Sequence, residues 1–347
     1  MTSKPAVAYI GVAGLNEFFN PQDPLSHYFI DAGDGADIID AFALDDYLIG
    51  GLGHDYIKGE GGNDFILGDR FADDNFVGAS AAESADADAI EGGYGNDTIY
   101  GGGGNNFVNG GAGNDMINGG SGNELLEGGS DNDTVNAGAG NDILVGGTFK
   151  TATEQAFISA NIGGVITSHD GLTDLFAVHA ESGSGFAGTN AALSSTGNDL
   201  LNGGAGADKI YGQDGSDSLD GGSGKDSLFG GANADSLTGG SGADHFIYTK
   251  LSESGALGSS RDRISDFSHA QGDKIDLKKI DAKTGVSDNN EFHFIGTKAF
   301  HHVKGELHYS VSGGSAFVSG DTNGDGNADF SIELDHVTHL VAGDFIL

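Results

Sequence analysis

Between Leu201 and Phe246 the apolar positions recur with a nine-residue period, at Leu201, Ile210, Leu219, Leu228, Leu237 and Phe246. Each stands two positions after an aspartate, at Asp199, Asp208, Asp217, Asp226, Asp235 and Asp244. The units read GGAGADKIY, GQDGSDSLD, GGSGKDSLF, GGANADSLT and GGSGADHFI. The same phase runs earlier through Asp88, Asp97, Asn106, Asp115, Glu124, Asp133 and Asp142, and before that through Asp37, Asp46, Asp55 and Asp64. All seventeen positions carry Ile, Leu, Val or Phe at +2. Neither a helix of 3.6-residue period nor a strand of period two produces such spacing. A glycine-rich turn followed by a short strand with its middle side chain inward predicts a parallel solenoid. Two units make one coil, and coils stack about 4.8 Å apart.

The polar half of the unit has its own chemistry. Glycines at the first, second and fourth positions allow positive φ and close backbone approach, so carbonyls can turn toward one point. The aspartate adds charge, and Ca²⁺ takes carboxylate and carbonyl oxygens together. The candidate ligands are Asp37, Asp55, Asp64, Asp88, Asp97, Asn106, Asp115, Glu124, Asp133 and Asp142, then Asp199, Asp208, Asp217, Asp226, Asp235 and Asp244. The turn glycines that go with them include Gly92 and Gly95, Gly110 and Gly113, Gly203 and Gly206, Gly212 and Gly215, and Gly221 and Gly224. Asn106 brings less charge and Glu124 a longer reach, so weaker sites are expected there. In the unit of Asp46, Ala43 and Leu44 replace the usual glycines, and Asp46 is left out of the set.

The pattern GGxGxDxUx, with U a large aliphatic, resembles the calcium-binding repeats of the RTX (hemolysin-type) family. The resemblance implies an all-β chain built as a parallel β-roll that holds many calcium ions, roughly ten. Beyond Ile247, the segments DRISDF and GDKIDL, the GDTNGDGNADF hairpin and the terminal DFIL resemble the C-terminal domain of serralysin-type exoproteins. That likeness implies a β-sandwich-like cap on the roll and an uncleaved signal for type I secretion machinery, with Asp344, Phe345, Ile346 and Leu347 matching its end.

The phase divides the chain. Residues 1–30 are an expected N-terminal cap with Tyr9, Ile10, Phe18, Phe19, Tyr28, Phe29 and Ile30 as its apolar surface. A roll at 31–147 carries a loop insertion at about 69–86. A non-repeat, β-rich insertion follows at 148–196, where His169, Asp170, Asp174 and His179 are the polar candidates. The roll resumes at 197–247, and 248–347 is the C-terminal segment.

Charge then changes what the repeat implies. Fifty-two acidic residues against fifteen basic ones give −37, and stacked carboxylates without counterions repel each other. The ion-free chain should fold poorly, off in a calcium-poor cytosol and on outside the cell. Nucleic acid is excluded as a partner because its phosphates would be repelled. There is no cysteine, hence no disulfide framework. The N-terminus has a lysine and a mixed apolar run without a continuous signal-peptide core, and no stretch approaches the roughly twenty apolar residues of a membrane span. Export without an N-terminal signal peptide is expected, and the initiator methionine with the N-terminal cap reads as a whole chain.

Catalytic motifs are missing. HExxH, GxSxG and GxxxxGK[ST] do not occur. DTNGDGNADFSI begins like an EF-hand loop but has Ile332 where the bidentate glutamate belongs, and it reads as a hairpin turn. Seven of the twelve histidines fall at His269, His293, His301, His302, His308, His336 and His339 without a recognisable ligand spacing. Three readings stay open. One is a secreted, non-catalytic calcium-binding protein acting in adhesion, surface or matrix assembly, or host interaction. Another is the repeat and secretion portion of a secreted metalloprotease, lipase or polysaccharide-modifying enzyme. The third is a binder of a specific ligand, such as a cell-surface glycan or another metal, with calcium as scaffold.

Overall fold

The computed structural model describes residues 7–11, 17–20, 26–69, 87–147, 197–256, 258–285 and 289–347. Most of loop 69–86 and all of the 148–196 insertion, with His169, Asp170, Asp174 and His179, lie outside the described residues. The strands that are described form two sheets, of 17 and 12 strands. Successive repeats alternate between them, so each strand pairs in parallel with the one two repeats on: Leu48 with Ile66, Val108 with Leu126, Ile117 with Val135.

The xUx triplet sets the packing. In Phe107–Ala112 or Thr98–Gly103 the U side chain is fully buried and its two neighbours are half-exposed. One sheet stacks Ile39, Ile57, Ile90, Val108, Leu126, Leu144, Ile210, Leu228 and Phe246. The other stacks Ile30, Leu48, Ile66, Ile99, Ile117, Val135, Leu201, Leu219 and Leu237, and every one of these side chains is 0–1% exposed. The core is therefore two facing columns, one side chain wide.

Neither insertion disturbs the register. Ile57 pairs with Ile90 across the first, and Val135 with Leu201 across the second. In both places U meets U, as it does between uninterrupted coils. Each excursion leaves and rejoins the roll where pairing is already set by the coil before it.

Both ends extend the roll. Val7–Ile10 pairs in parallel with Tyr28–Asp34, and Phe18–Phe19 with Ile38–Asp40. Tyr9 packs against Phe19 and Tyr28 with centroids 6.5 and 6.1 Å apart, but Ile10 and Phe18 stay 73% and 65% exposed. The segment expected to cap the roll thus contributes two more of its strands.

The C-terminal segment is β-rich as expected, and its strands continue the two sheets of the roll. Arg263–Ile264 pairs in parallel with Ser236–Thr238, and Phe330–Leu334 pairs in parallel with Arg263–Ile264. In the other sheet Lys274–Asp276 follows His245–Ile247, and Phe345–Ile346 follows Lys274–Asp276. The coiling outlives the glycine repeat because DRI and DKI keep an aspartate two positions before an inward Ile264 and Ile275. Antiparallel strands Glu306–Ser312, Ser315–Asp321 and Phe330–Leu334 then close the end. Phe292 packs on Phe330 and Phe294 on Phe345, at 5.6 and 5.0 Å.

Candidate metal centre

Each repeat aspartate enters the fold at the end of its turn, just before the strand, and its two oxygens have different surroundings. Oδ1 accepts a hydrogen bond from the backbone N–H of the equivalent residue one coil earlier. Asp97 N–H donates to Asp115, Asp115 N–H to Asp133 and Asp217 N–H to Asp235, at 2.8–2.9 Å. The ladder crosses both insertions, from Asp64 N–H to Asp97 and from Asp133 N–H to Asp199. It starts at Glu17 N–H on Asp37 and ends at Asp262 and Asp273, which accept from the N–H of Asp235 and Asp244.

Oδ2 is different. In Asp64, Asp97, Asp115, Asp133, Asp142, Asp208, Asp217, Asp226, Asp235 and Asp244 it is buried and meets no hydrogen-bond donor. The ion pairs of the described residues, such as Arg263 with Asp335, lie elsewhere. A buried carboxylate oxygen without a donor is costly. Desolvation accordingly pushes Asp64, Asp133 and Asp217 up to about 8, and Asp115, Asp226 and Asp235 to about 7, with neighbouring carboxylates adding to several of them.

These oxygens face a space kept open by the first glycine of the unit. A methyl group on Gly92 would lie 2.4 Å from both Asp97 Oδ2 and the Gly110 carbonyl oxygen of the next coil. On Gly212 it would lie 2.4 Å from Asp217 Oδ2 and the Gly230 carbonyl, and on Gly110 2.5 Å from Asp115 Oδ2 and the Gly128 carbonyl. The spaces beside Gly203 and Gly221 are built the same way, from Asp208 and Asp226. The fourth glycine has another task. At φ +149, Gly206 lies so close under Gly140 that a Cβ would sit 1.1 Å from its carbonyl oxygen, and Gly95, Gly113, Gly215 and Gly224 make the same kind of approach.

Charged and carbonyl oxygens converging from successive coils are the donor set of a hard divalent cation. Among the described residues no three His, Asp or Glu side chains gather into one metal site, so backbone carbonyls must supply the remaining ligands. The residues fit calcium: the repeat carboxylates would hold it, and its charge would neutralise the Oδ2 row.

The substituted units separate. Asn106 keeps the ladder bond from Asp88 N–H, but its Nδ2 occupies the inward position and donates to the Gly103 carbonyl at 3.2 Å. It presents a donor where its neighbours present an oxygen. Glu124 turns its carboxylate out of the backbone ladder toward Asp142; burial first, then the Asp142 charge and a side-chain hydrogen bond shared with it, raise its pKa to about 9. Its extra methylene carries the carboxylate past the backbone bond. Asp37, Asp55, Asp88 and Asp199 sit in the same ladder.

Three ladder residues lie outside the expected ligand set. Asp46 accepts from Tyr28 N–H and its Oδ2 is as bare as the others, even though its turn lacks glycines. Asp262 and Asp273 carry the aspartate and +2 isoleucine signal without a glycine turn before it. The EF-hand-like stretch is a hairpin turn satisfied from within. Asp321 accepts from Gly324 and Gly326 N–H, and Asp329 from Thr322 and Asn323. The C-terminal histidines are dispersed, His269 on Asp344, His301 on Glu306 and His302 on the Asp325 carbonyl.

The RTX calcium-binding nonapeptide repeat (4 copies) matches residues 40–74, 84–117, 118–149, 184–219, 193–228 and 211–246. The solution structure of the AlgE6R3 subunit from the Azotobacter vinelandii mannuronan C5-epimerase is similar, with a TM-score of 0.31 and 28% identity over 43% of this chain and 77% of that one. No curated protein matches.

Proposed function

Because this chain carries RTX calcium-binding nonapeptide repeats coiled into a parallel β-roll, we propose that it is a secreted protein whose folding is switched on by calcium outside the cell. It acts there without catalysis, as a scaffold in adhesion, surface or matrix assembly, or host interaction. The row of buried Oδ2 atoms without donors carries the reading. In a calcium-poor cytosol the like charges oppose coiling and leave an extended chain suited to passage through type I secretion machinery. Outside, each site held at a hundred times its dissociation constant adds about 2.7 kcal/mol. Among the described residues no helix is long and apolar enough to cross a membrane.

The test is a calcium titration of the chelator-stripped chain followed by far-UV circular dichroism and protease resistance. The expected result is a cooperative change from disorder to β-structure as calcium rises. A stripped protein that stays as compact and protease-resistant as the loaded one would overturn the proposal. Labelled, calcium-loaded protein is then incubated with bacterial surfaces and glycan arrays. Retention that vanishes with chelator supports the surface role, and absence of retention on every surface removes it.

A further inference from the structure

The two ends of the roll are finished differently. At the C-terminal end Phe330–Leu334 takes Ser315–Asp321 as an antiparallel neighbour, and that strand takes Glu306–Ser312. Exposed Lys278, Lys279, Lys298 and Lys304 stand in the same segment, and lysine near a sheet edge discourages further pairing. The N-terminal end has neither device. Val7–Ile10 pairs only with Tyr28–Asp34, and Phe18–Phe19 only with Ile38–Asp40. Among the described residues, both sheets thus begin on a strand with one edge unpaired.

The side chains beside these edges are apolar and open to solvent. Ile10 is 73% exposed, Phe18 65%, Tyr9 40% and Ile38 39%. The strands themselves, VAYI and FF, hold no charge in a chain of −37. A backbone edge without charge, proline or bulge is a template for another strand.

Shape and charge select the occupant. A single foreign strand completes one sheet and leaves the other open. A full match needs two edges set apart by the spacing of stacked sheets, about 10 Å. The N-terminal end of a second copy has that pair by construction. The C-terminal end does not, because antiparallel strands close it, so head-to-tail growth is blocked. Two molecules of charge −37 repel each other, and they approach most easily where neither presents a charged strand.

We propose that the N-terminal end of the roll is a self-association surface, on which two copies of this chain join end to end about a two-fold axis. The axis reverses strand direction, so the meeting edges run antiparallel and the sheets continue from one copy into the other. Each copy uses its one open end, and assembly stops at the dimer. The edges exist only in the coiled chain, so the dimer forms in calcium and not in chelator; this last point alone rests on the calcium reading.

Sedimentation velocity of the full chain in calcium is expected to show a dimer. Ile10→Lys combined with Phe18→Lys sets like charges against each other across the axis and should need about a hundredfold more protein to dimerise. Both side chains already face solvent, so the circular dichroism of this variant should match the wild type. The chain has no cysteine, and Ile10→Cys supplies a single thiol. A short bismaleimide should couple two copies of Ile10→Cys in calcium and leave Val341→Cys, in the C-terminal segment, uncoupled. A folded wild type that stays monomeric at every concentration overturns the proposal and leaves the edge to another partner. A dimer that survives the double variant, or coupling through Val341→Cys, overturns the location, and species larger than a dimer overturn the closed arrangement. If the double variant loses its circular dichroism signal, the cross-linking decides alone. A chain that stays disordered in calcium overturns the proposed function as well, whereas a folded monomer overturns this inference only.

Discussion

At the scale of single residues, two positions in the nonapeptide are set by different forces, and substitutions should separate them. The fourth glycine answers to backbone contact. Gly206→Ala places a methyl against the Gly140 carbonyl at a positive φ and should cost about 3 kcal/mol, read as a lower melting temperature in saturating calcium. Where the roll tolerates a side chain it still imposes the conformation: Glu60 and Gln213, at the second position, keep φ of +72° and +75°. Gln213→Gly should therefore raise stability by about 1 kcal/mol. The sixth position answers to the ion. Asn106 turns a donor inward, so Asn106→Asp should add calcium affinity, measured by calorimetry as an extra or tighter site. The identity of these residues was legible in the sequence, but the two jobs of one carboxylate, Oδ1 for the backbone and Oδ2 for the space beside the first glycine, were not. They depend on which coil lies next to which.

At the scale of the strand, a single buried side chain does the packing. Ile117 and Leu201 are 0% exposed, with half-exposed or outward neighbours, and there is no second layer to collapse into the gap. Ile117→Ala or Leu201→Ala should destabilise by about 2–5 kcal/mol, as shown by the shift in urea midpoint with calcium saturated. Strands in the glycine blocks could be placed from the +2 rule alone. Beyond Ile247 the rule continues at Ile264 and Ile275, yet the glycines that announce it are absent, so the sequence alone shows a β-rich cap and not which coils its strands extend. Their partners, Leu334 and Phe345, arrive from the far end of the chain, and no local pattern announces such pairing.

At the scale of the whole molecule, charge governs stability, and its sign can be worked out. Without an ion the repeat aspartates have raised values, from about 6 in Asp97, Asp199 and Asp208 to about 8 in Asp64, Asp133 and Asp217. The unfolded chain titrates near 3.8, so between pH 4 and 8 the folded ion-free form holds more protons. Its stability is greatest near the unfolded value and is lost as pH rises through 6 to 8. Calcium reverses the trend, since protons compete for the same oxygens. With chelator, a melting transition should be present near pH 5, where the carboxyls are protonated, and be lost toward pH 8, whereas with calcium the melting temperature should rise over the same range. The period, the inward residue, the ligand chemistry and the need for counterions were all determined by the sequence alone, because each is a local property repeated until it cannot be mistaken. The tertiary structure alone decided which carboxylate oxygen stays bare, how the insertions splice without a slip of register, and how the C-terminal strands prolong the roll. Each of these depends on contacts between neighbouring coils, whose residues lie far apart along the chain and which only stacking brings together.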